Sequence, residues 1–447
     1  MKYPLIKIEP PGPRASQILE KDERYIMQSF KRWYPLVVRR AEGFLVEDVD
    51  GNVYLDFNSG LVVVNVGHRH PKVLEAIRVQ LDSFLHYSLA DFAYGISADL
   101  AERLVKITPG DFPKKVFYGN SGAEAIEAGL KVTRGHFKGK RPYVLAFAGS
   151  FHGRTLGALS LTASKPVQRR GFAPLIPGVV HVPYPYCYRC PFRQEYPDCA
   201  LWCVDYIREW VLEKYVPGDE VAAMFFEPVA GEGGYIVPPP EFFPRLRRLA
   251  DEYGILLVDD EVQAGVGRTG KWFAIEHWGV APDLVAIAKG IAAGLPLGVL
   301  VGRSDVMDLP PGSHASTFGG NPVSCAAALA VIDVIEEERL LENAARMGEI
   351  AMKRLREMQE NLNAIGDVRG LGLMIGVELV RNRETKEPAP QLLHEVLLEA
   401  FKRGLLLVGA GESVLRIAPP LTITEEALDK GLSILEDVLR AKATASA

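Results

Sequence analysis

Six short apolar runs, each too brief for a helix, recur along the middle of the chain at residues 115–118, 143–147, 222–226, 255–259, 284–288 and 297–301. Amphipathic helical segments such as 123–136 and 241–253 separate several of them. Parallel strands need crossover connections that cover the sheet, so unbroken apolar runs alternating with helices predict a mostly parallel sheet buried on both faces. Upstream, 43–57 reads as strands and turns, with Asp50-Gly51 as a hairpin signal. After a helical run over 322–359 the pattern changes: 368–380, 405–408 and 414–418 read as strands, and 391–402 and 425–440 as helices. The pattern predicts an α/β chain with a large domain over 72–342 and a smaller α/β domain over 343–447, to which the N-terminal segment 1–71 contributes.

With 48% hydrophobic and 24% charged residues in 447, the chain can bury a large core without a covalent staple. Its 51 basic and 56 acidic side chains balance too closely for a nucleic-acid footprint. The apolar stretch 286–302 is broken by Lys289 and falls short of a membrane span. Residues 1–13 lack the apolar core of a secretory signal. A cytoplasmic protein with no nucleic-acid or membrane partner is expected.

Four of the five cysteines, Cys187, Cys190, Cys199 and Cys203, follow a C-x2-C-x8-C-x3-C pattern in a Tyr- and Pro-rich stretch. Such spacing suits a structural tie for a long loop, as a metal site or as disulfides, and the choice stays open. Cys325, alone in an Ala-rich helical pattern, reads as core. His68 and His70 have metal-like spacing, but Pro71 starts a helix directly after them and no ligand partner is near in sequence. A helix entry with two hydrogen-bonded histidines is the better reading. Gly265 to Gly270 matches G-x-G-x-x-G, yet no helix opens there and the acidic residue is misplaced, so a glycine-rich loop is expected.

Three other features sit at predicted strand ends, where open α/β sheets bind ligands. Asn120-Ser-Gly-Ala-Glu124 joins a strand to a helix start and suits either an anion cradle or an ordinary N-cap by Ser121. Asp259-Asp-Glu-Val-Gln263 puts three carboxylates at the end of a buried strand, an expensive placement unless they meet a cation or do chemistry. Lys289 directly follows the run 284–288, where apolar walls favour a neutral, nucleophilic amine. A phosphate cradle, an acid and an amine at neighbouring strand ends are what pyridoxal 5'-phosphate requires.

On these residues the chain resembles a class III aminotransferase among the fold type I pyridoxal-phosphate enzymes. The motifs that carry the likeness are Gly67-His-Arg-His-Pro71, Asn120-Ser-Gly-Ala-Glu124, Ser150-Phe-His-Gly-Arg-Thr155, Glu227-Pro-Val-Ala-Gly-Glu-Gly-Gly234, Asp260-Glu-Val-Gln263, Ala288-Lys-Gly290 and Thr317-Phe-Gly-Gly-Asn-Pro322. The resemblance implies a mostly parallel seven-stranded sheet and a small domain built from both termini. It implies that Lys289 forms the Schiff base and moves the proton, and that Asp260 pairs with the pyridine N–H. It places Ser121, Gly122 and Ala123 at the phosphate, Phe151 and Val262 on the two ring faces, His152 beside the cofactor and Gln263 at the ring hydroxyl. Thr317 would reach the phosphate in a neighbouring subunit, so a homodimer or larger homo-oligomer is implied.

For substrate, the resemblance implies that Arg154 and Arg416 bind carboxylates, with Glu232 pairing Arg416 when no dicarboxylate is present, Glu227 nearby and Leu61 lining the pocket. The likeness is greatest to the 4-aminobutyrate aminotransferase branch, from which Ala230 departs where glutamine is usual. The expected activity is ping-pong transfer from an ω-amino acid, such as 4-aminobutyrate, ornithine or a lysine-like donor, to 2-oxoglutarate. The alternative is an amino-acid racemase on the same scaffold.

Overall fold

The computed structural model describes residues 3–445. Near the N-terminus, β1 (Val38–Glu42), β2 (Leu45–Asp48) and β3 (Val53–Asp56) form an antiparallel meander turned at Asp50-Gly51. The central sheet contains β4 (Lys114–Gly119), β5 (Tyr143–Phe147), β6 (Val179–Val182), β7 (Val221–Phe226), β8 (Leu256–Asp260), β9 (Leu284–Ile287) and β10 (Gly298–Arg303), in the order β4-β10-β9-β8-β7-β5-β6. Only β10 is antiparallel to its neighbours, so the other six strands point the same way. A seven-stranded, mostly parallel sheet is therefore present as expected.

Alternation along these strands divides the core between two faces. Leu145, Met224, Phe226, Leu257, Val285, Ile287 and Val299 join one apolar cluster, which also takes in helix Phe242–Tyr253. Val144, Ala146, Phe225, Leu256, Val258, Ala286 and Leu300 join the other, beneath helix Gly122–His136. By parity Asp260 falls on the face of Leu256 and Val258, and Asp259 on the face of Leu257. A strand read as one apolar run thus delivers consecutive acids to opposite sides.

Toward the C-terminus, β11 (Ile365–Leu371), β12 (Met374–Asn382) and β13 (Glu387–Pro388) precede β14 (Leu405–Leu406), β15 (Val408–Ala410) and β16 (Val414–Ile417). The expected single strand over 405–408 is two strands in two sheets: β14 pairs parallel with β3, and β15 pairs with β16. Through β14, the N-terminal meander and the C-terminal segment share one sheet. Helix Pro322–Glu337 buries Cys325. Residues 265–270 are turns, with no helix opening there. No helix among the described residues is long and apolar enough to cross a membrane.

The four clustered cysteines come together in the fold. Cys187, Cys190, Cys199 and Cys203 line one small cavity, but all are free thiols, and no three His, Cys, Asp or Glu side chains among the described residues are placed to hold a metal. Polar contacts tie this segment down. Tyr186 and Arg189 both bond the buried Glu378 carboxylate, and Arg369 Nη1 donates to the same group at 2.7 Å. The anchor comes from a strand far along the chain, which cysteine spacing cannot reveal.

Candidate active site

Because six strands run together, the segments leaving β4, β5, β7, β8 and β9 emerge at one edge of the sheet. They line a cleft of about 430 Å³. Asn120 to Ala123 follow β4, Phe151 to Arg154 follow β5, and Glu227 follows β7. Asp260 ends β8, ahead of Val262 and Gln263, and Lys289 stands two residues beyond β9.

Ser121 is the N-cap of helix Gly122–His136, its Oγ accepting from Glu124 N at 3.2 Å. The two sequence readings of this turn are compatible, because a cap uses one first-turn donor and leaves others for an anion. Gly122 fits closely: a Cβ there would lie 2.8 Å from Val262 Cγ1. Asp260 Oδ1 accepts from Val262 N at 3.1 Å, and its Oδ2 lies 2.7 Å from His152 Nδ1. Both side chains are buried, so the histidine fixes the carboxylate's orientation. Glu227 accepts from Phe151 N and Gly231 N, each at 2.8 Å, tying the β5 and β7 loops together. Burial raises its carboxyl to about 7, with Asp260 adding to the rise and His152 opposing it.

Lys289 has φ +44°, a left-handed conformation costing about 1 kcal/mol for a residue with a Cβ. Burial pulls its amine below the ordinary lysine range; Glu232 opposes that shift, Arg416 adds to it, and Asp260 and Glu227 oppose it. Arg416, buried on β16, bonds Glu232 through Nη2. Glu232 is held below the usual carboxylate range although burial pushes it up, because Arg416 and then Lys165 outweigh the burial. Lys165 Nζ stands 3.7 Å from the other Glu232 oxygen.

Ser121, Gly122, Ala123, Phe151, His152, Arg154, Glu227, Asp260, Val262, Gln263 and Lys289 thus meet in one cleft. Glu232 and Arg416 adjoin it through their charges on Lys289. Two expected site residues lie apart. Leu61 is exposed at φ +70°, and its neighbour Val63 lines the cleft instead. Thr317 is exposed on the loop before helix Pro322–Glu337 and lines no part of it. His68 and His70 are helix-entry residues, 2.7 Å from Asp56 and 3.0 Å from Glu338. Sequence reasoning missed Lys165, Val63 and Leu295 to Leu297. Val63 and Leu295 to Leu297 are apolar residues in irregular segments, and Lys165 follows a helix end, so no periodicity marks them.

Several buried polar atoms here have no protein partner: His152 Nε2, Gln263 Oε1, and Arg416 Nε and Nη1. Buried polar groups are rarely left unpaired, so such a set indicates a polar ligand with anionic groups. The residues present fit pyridoxal phosphate: the first turn of the helix at Gly122 would hold a phosphate, Asp260 would face a ring N–H, and Gln263 would reach a ring hydroxyl.

Residues 26–439 match the family model described as Aminotransferase class-III. An alanine/serine racemase of Pyrococcus horikoshii is 43% identical over 98% of this chain and 93% of that protein. A 4-aminobutyrate aminotransferase of Escherichia coli is 40% identical over 94% of this chain and 97% of that one. The crystal structure of a thermostable (S)-enantioselective omega-transaminase from Thermomicrobium roseum superposes with a TM-score of 0.89, at 32% identity, covering 97% of this chain and 99% of that chain.

Proposed function

Given that this chain belongs to the class III aminotransferases, a pyridoxal-phosphate-dependent family of fold type I, we propose that it moves the amino group of an ω-amino acid to 2-oxoglutarate in a ping-pong cycle. The observation that carries this reading is the buried Arg416–Glu232 pair beside Lys289. A buried guanidinium neutralised by a carboxylate that can turn aside serves two partners in turn: an amino donor while the pair is closed, a dicarboxylate keto acid while it is open. Arg154, exposed at the cleft mouth over Phe151, offers a fork for a second carboxylate.

Pyridoxal phosphate, when bound, supplies an aldehyde carbon for amine exchange and a ring that stores the electron pair left by C–H cleavage. The protein's own residues do the rest. Lys289 Nζ, its amine held below the ordinary lysine range by burial, takes and returns the proton. Asp260, oriented by His152, holds negative charge where the ring nitrogen needs it. Val262 and Phe151 flank the ring, and Glu227 fixes the loop that carries Phe151. We assign Thr317 to a neighbouring subunit's phosphate. Leu85, Tyr87, Phe92 and Phe318, more than half exposed, offer an apolar surface for that subunit.

The likeness to an alanine/serine racemase supports a second reading, in which the proton returns to the same carbon from the opposite face. One experiment separates the two. Single enantiomers and ω-amino donors are incubated with and without 2-oxoglutarate, reading glutamate and enantiomer composition. Glutamate formed from an ω-amino donor supports transamination; loss of optical activity without keto acid, with no glutamate from any donor, overturns it.

A further inference from the structure

The Arg416–Glu232 pair has a third member. Lys165 lies between the end of helix Leu156–Leu161 and the turn at Pro166–Gln168, and its side chain reaches back to the Glu232 carboxylate, Nζ to Oε2 at 3.7 Å. Glu232 therefore stands between two cations, with Oε1 on Arg416 and Oε2 toward Lys165.

Glu232 cannot leave Arg416 by moving its backbone. Its carbonyl accepts from Gly411 N at 2.8 Å, and Gly233 packs so closely on Gly149 O that a Cβ would sit at 2.7 Å. Only side-chain torsion is left. A carboxylate released inside a largely desolvated pocket with no partner is strongly disfavoured. Lys165 is placed to supply that partner. Its own backbone is fixed, since neighbouring Ala163 exchanges hydrogen bonds with Gly149 and Ser150 at 3.0 and 2.9 Å. Burial holds its amine below the ordinary lysine range, Glu232 opposes that shift, and the like charges of Arg416 and Lys31 add to it, so a full pairing with an anion favours its charged form.

We propose that Lys165 is a positioning residue for Glu232: it receives the Glu232 carboxylate when a dicarboxylate takes over Arg416, and so sets the pocket's tolerance for acidic substrates. This rests on the transaminase reading of the site.

The test measures binding of glutarate and of butyrate to purified holoenzyme by calorimetry, for wild type, Lys165→Met, Lys165→Arg, Glu232→Gln and the Lys165→Met/Glu232→Gln pair. Lys165→Met is expected to weaken glutarate about five- to tenfold and leave butyrate within about twofold, with Lys165→Arg restoring it. In the Glu232→Gln background, Lys165→Met is expected to change glutarate by less than about twofold, since no carboxylate needs a new partner. Equal weakening of both ligands overturns the proposal, as does a loss that persists without Glu232. Unchanged glutarate affinity in Lys165→Met removes the role of Lys165 alone. Wild type that binds glutarate no better than butyrate removes the dicarboxylate reading with it.

Discussion

His152 Nδ1 lies 2.7 Å from Asp260 Oδ2, with both side chains almost wholly buried at the end of β8. The other Asp260 oxygen is held by the backbone N–H of Val262 at 3.1 Å, so the carboxylate has one orientation. Asp260→Asn keeps the shape but removes the charge. A charged hydrogen bond of this kind is worth about 1.5–3 kcal/mol, so kcat should fall by about one to two orders of magnitude. Steady-state kinetics at saturating cofactor checks this; unchanged kcat would remove Asp260 from the reaction.

Lys289 is the group assigned to bond the cofactor. Borohydride reduction of the holoenzyme should fix the pyridoxal group on the peptide containing Lys289, read by mass spectrometry. Lys289→Ala should give no such adduct and no turnover. An adduct on any other lysine would refute the assignment.

Arg416 spends Nη2 on Glu232 and leaves Nε and Nη1 unpartnered while buried. Those free donors are suited to a substrate carboxylate. Arg416→Ala should raise KM for 2-oxoglutarate by at least about thirtyfold, in line with the 2–5 kcal/mol attached to losing a buried charge partner. A monocarboxylate keto acid such as pyruvate should suffer less. Equal losses for both would place Arg416 outside the dicarboxylate subsite.

Legibility of the sequence followed the physics of each element. Strands such as β7 and β8 stand out because burial on both faces makes every position apolar until the chain reaches the cleft. The acids and the lysine then mark the strand ends by their cost. β6 was not singled out: its four residues, Val-Val-His-Val, form a short edge strand with three positions only partly buried. Helix Gly95–Ile107 was also missed, its N-cap Tyr94 giving no side-chain hydrogen bond to announce a start. The polar anchor of the cysteine segment, Glu378, is not legible because it is nearly 200 residues away in sequence. Lys165 was invisible for a related reason, since only the fold brings it to Glu232.

Gly122 tests the cofactor cradle without touching a charged group. A Cβ at this position would approach Val262 Cγ1 and Cγ2 to 2.8 and 2.9 Å, closer than carbon atoms pack. Its backbone is helical, so Gly122→Ala favours the helix by about 0.5–1 kcal/mol while pushing Val262 toward the cleft. Thermal stability of the apoprotein should therefore hold within a few degrees while pyridoxal phosphate binds about tenfold more weakly, measured by absorbance titration. Unaltered affinity would mean that Val262 does not border the ring.

Asp259 and Glu261 flank Asp260, and both are fully buried. Neither Asp259 oxygen has a hydrogen-bond donor; Glu261 uses Oε1 to accept from Ile275 N at 2.9 Å. Burial raises both acids, Asp259 well above the usual carboxylate range with the Glu261 charge adding to the rise, and Glu261 to about 8. Both are therefore protonated in the folded protein at pH values where the unfolded chain has released its protons. The folded state then binds more protons, so stability falls as pH rises. The contribution is fully present below the unfolded carboxylate pKa of about 4 and is lost as pH rises above it, through about 8 for Glu261. Each group sets a slope of at most about 1.4 kcal/mol per pH unit. Asp259→Asn removes one titrating acid and supplies an amide donor toward Glu261. Denaturant unfolding from about pH 5 to pH 8 should show the wild type losing stability more steeply than Asp259→Asn, with the variant the more stable near pH 8. Parallel pH dependences would show that Asp259 does not hold a proton in the native core.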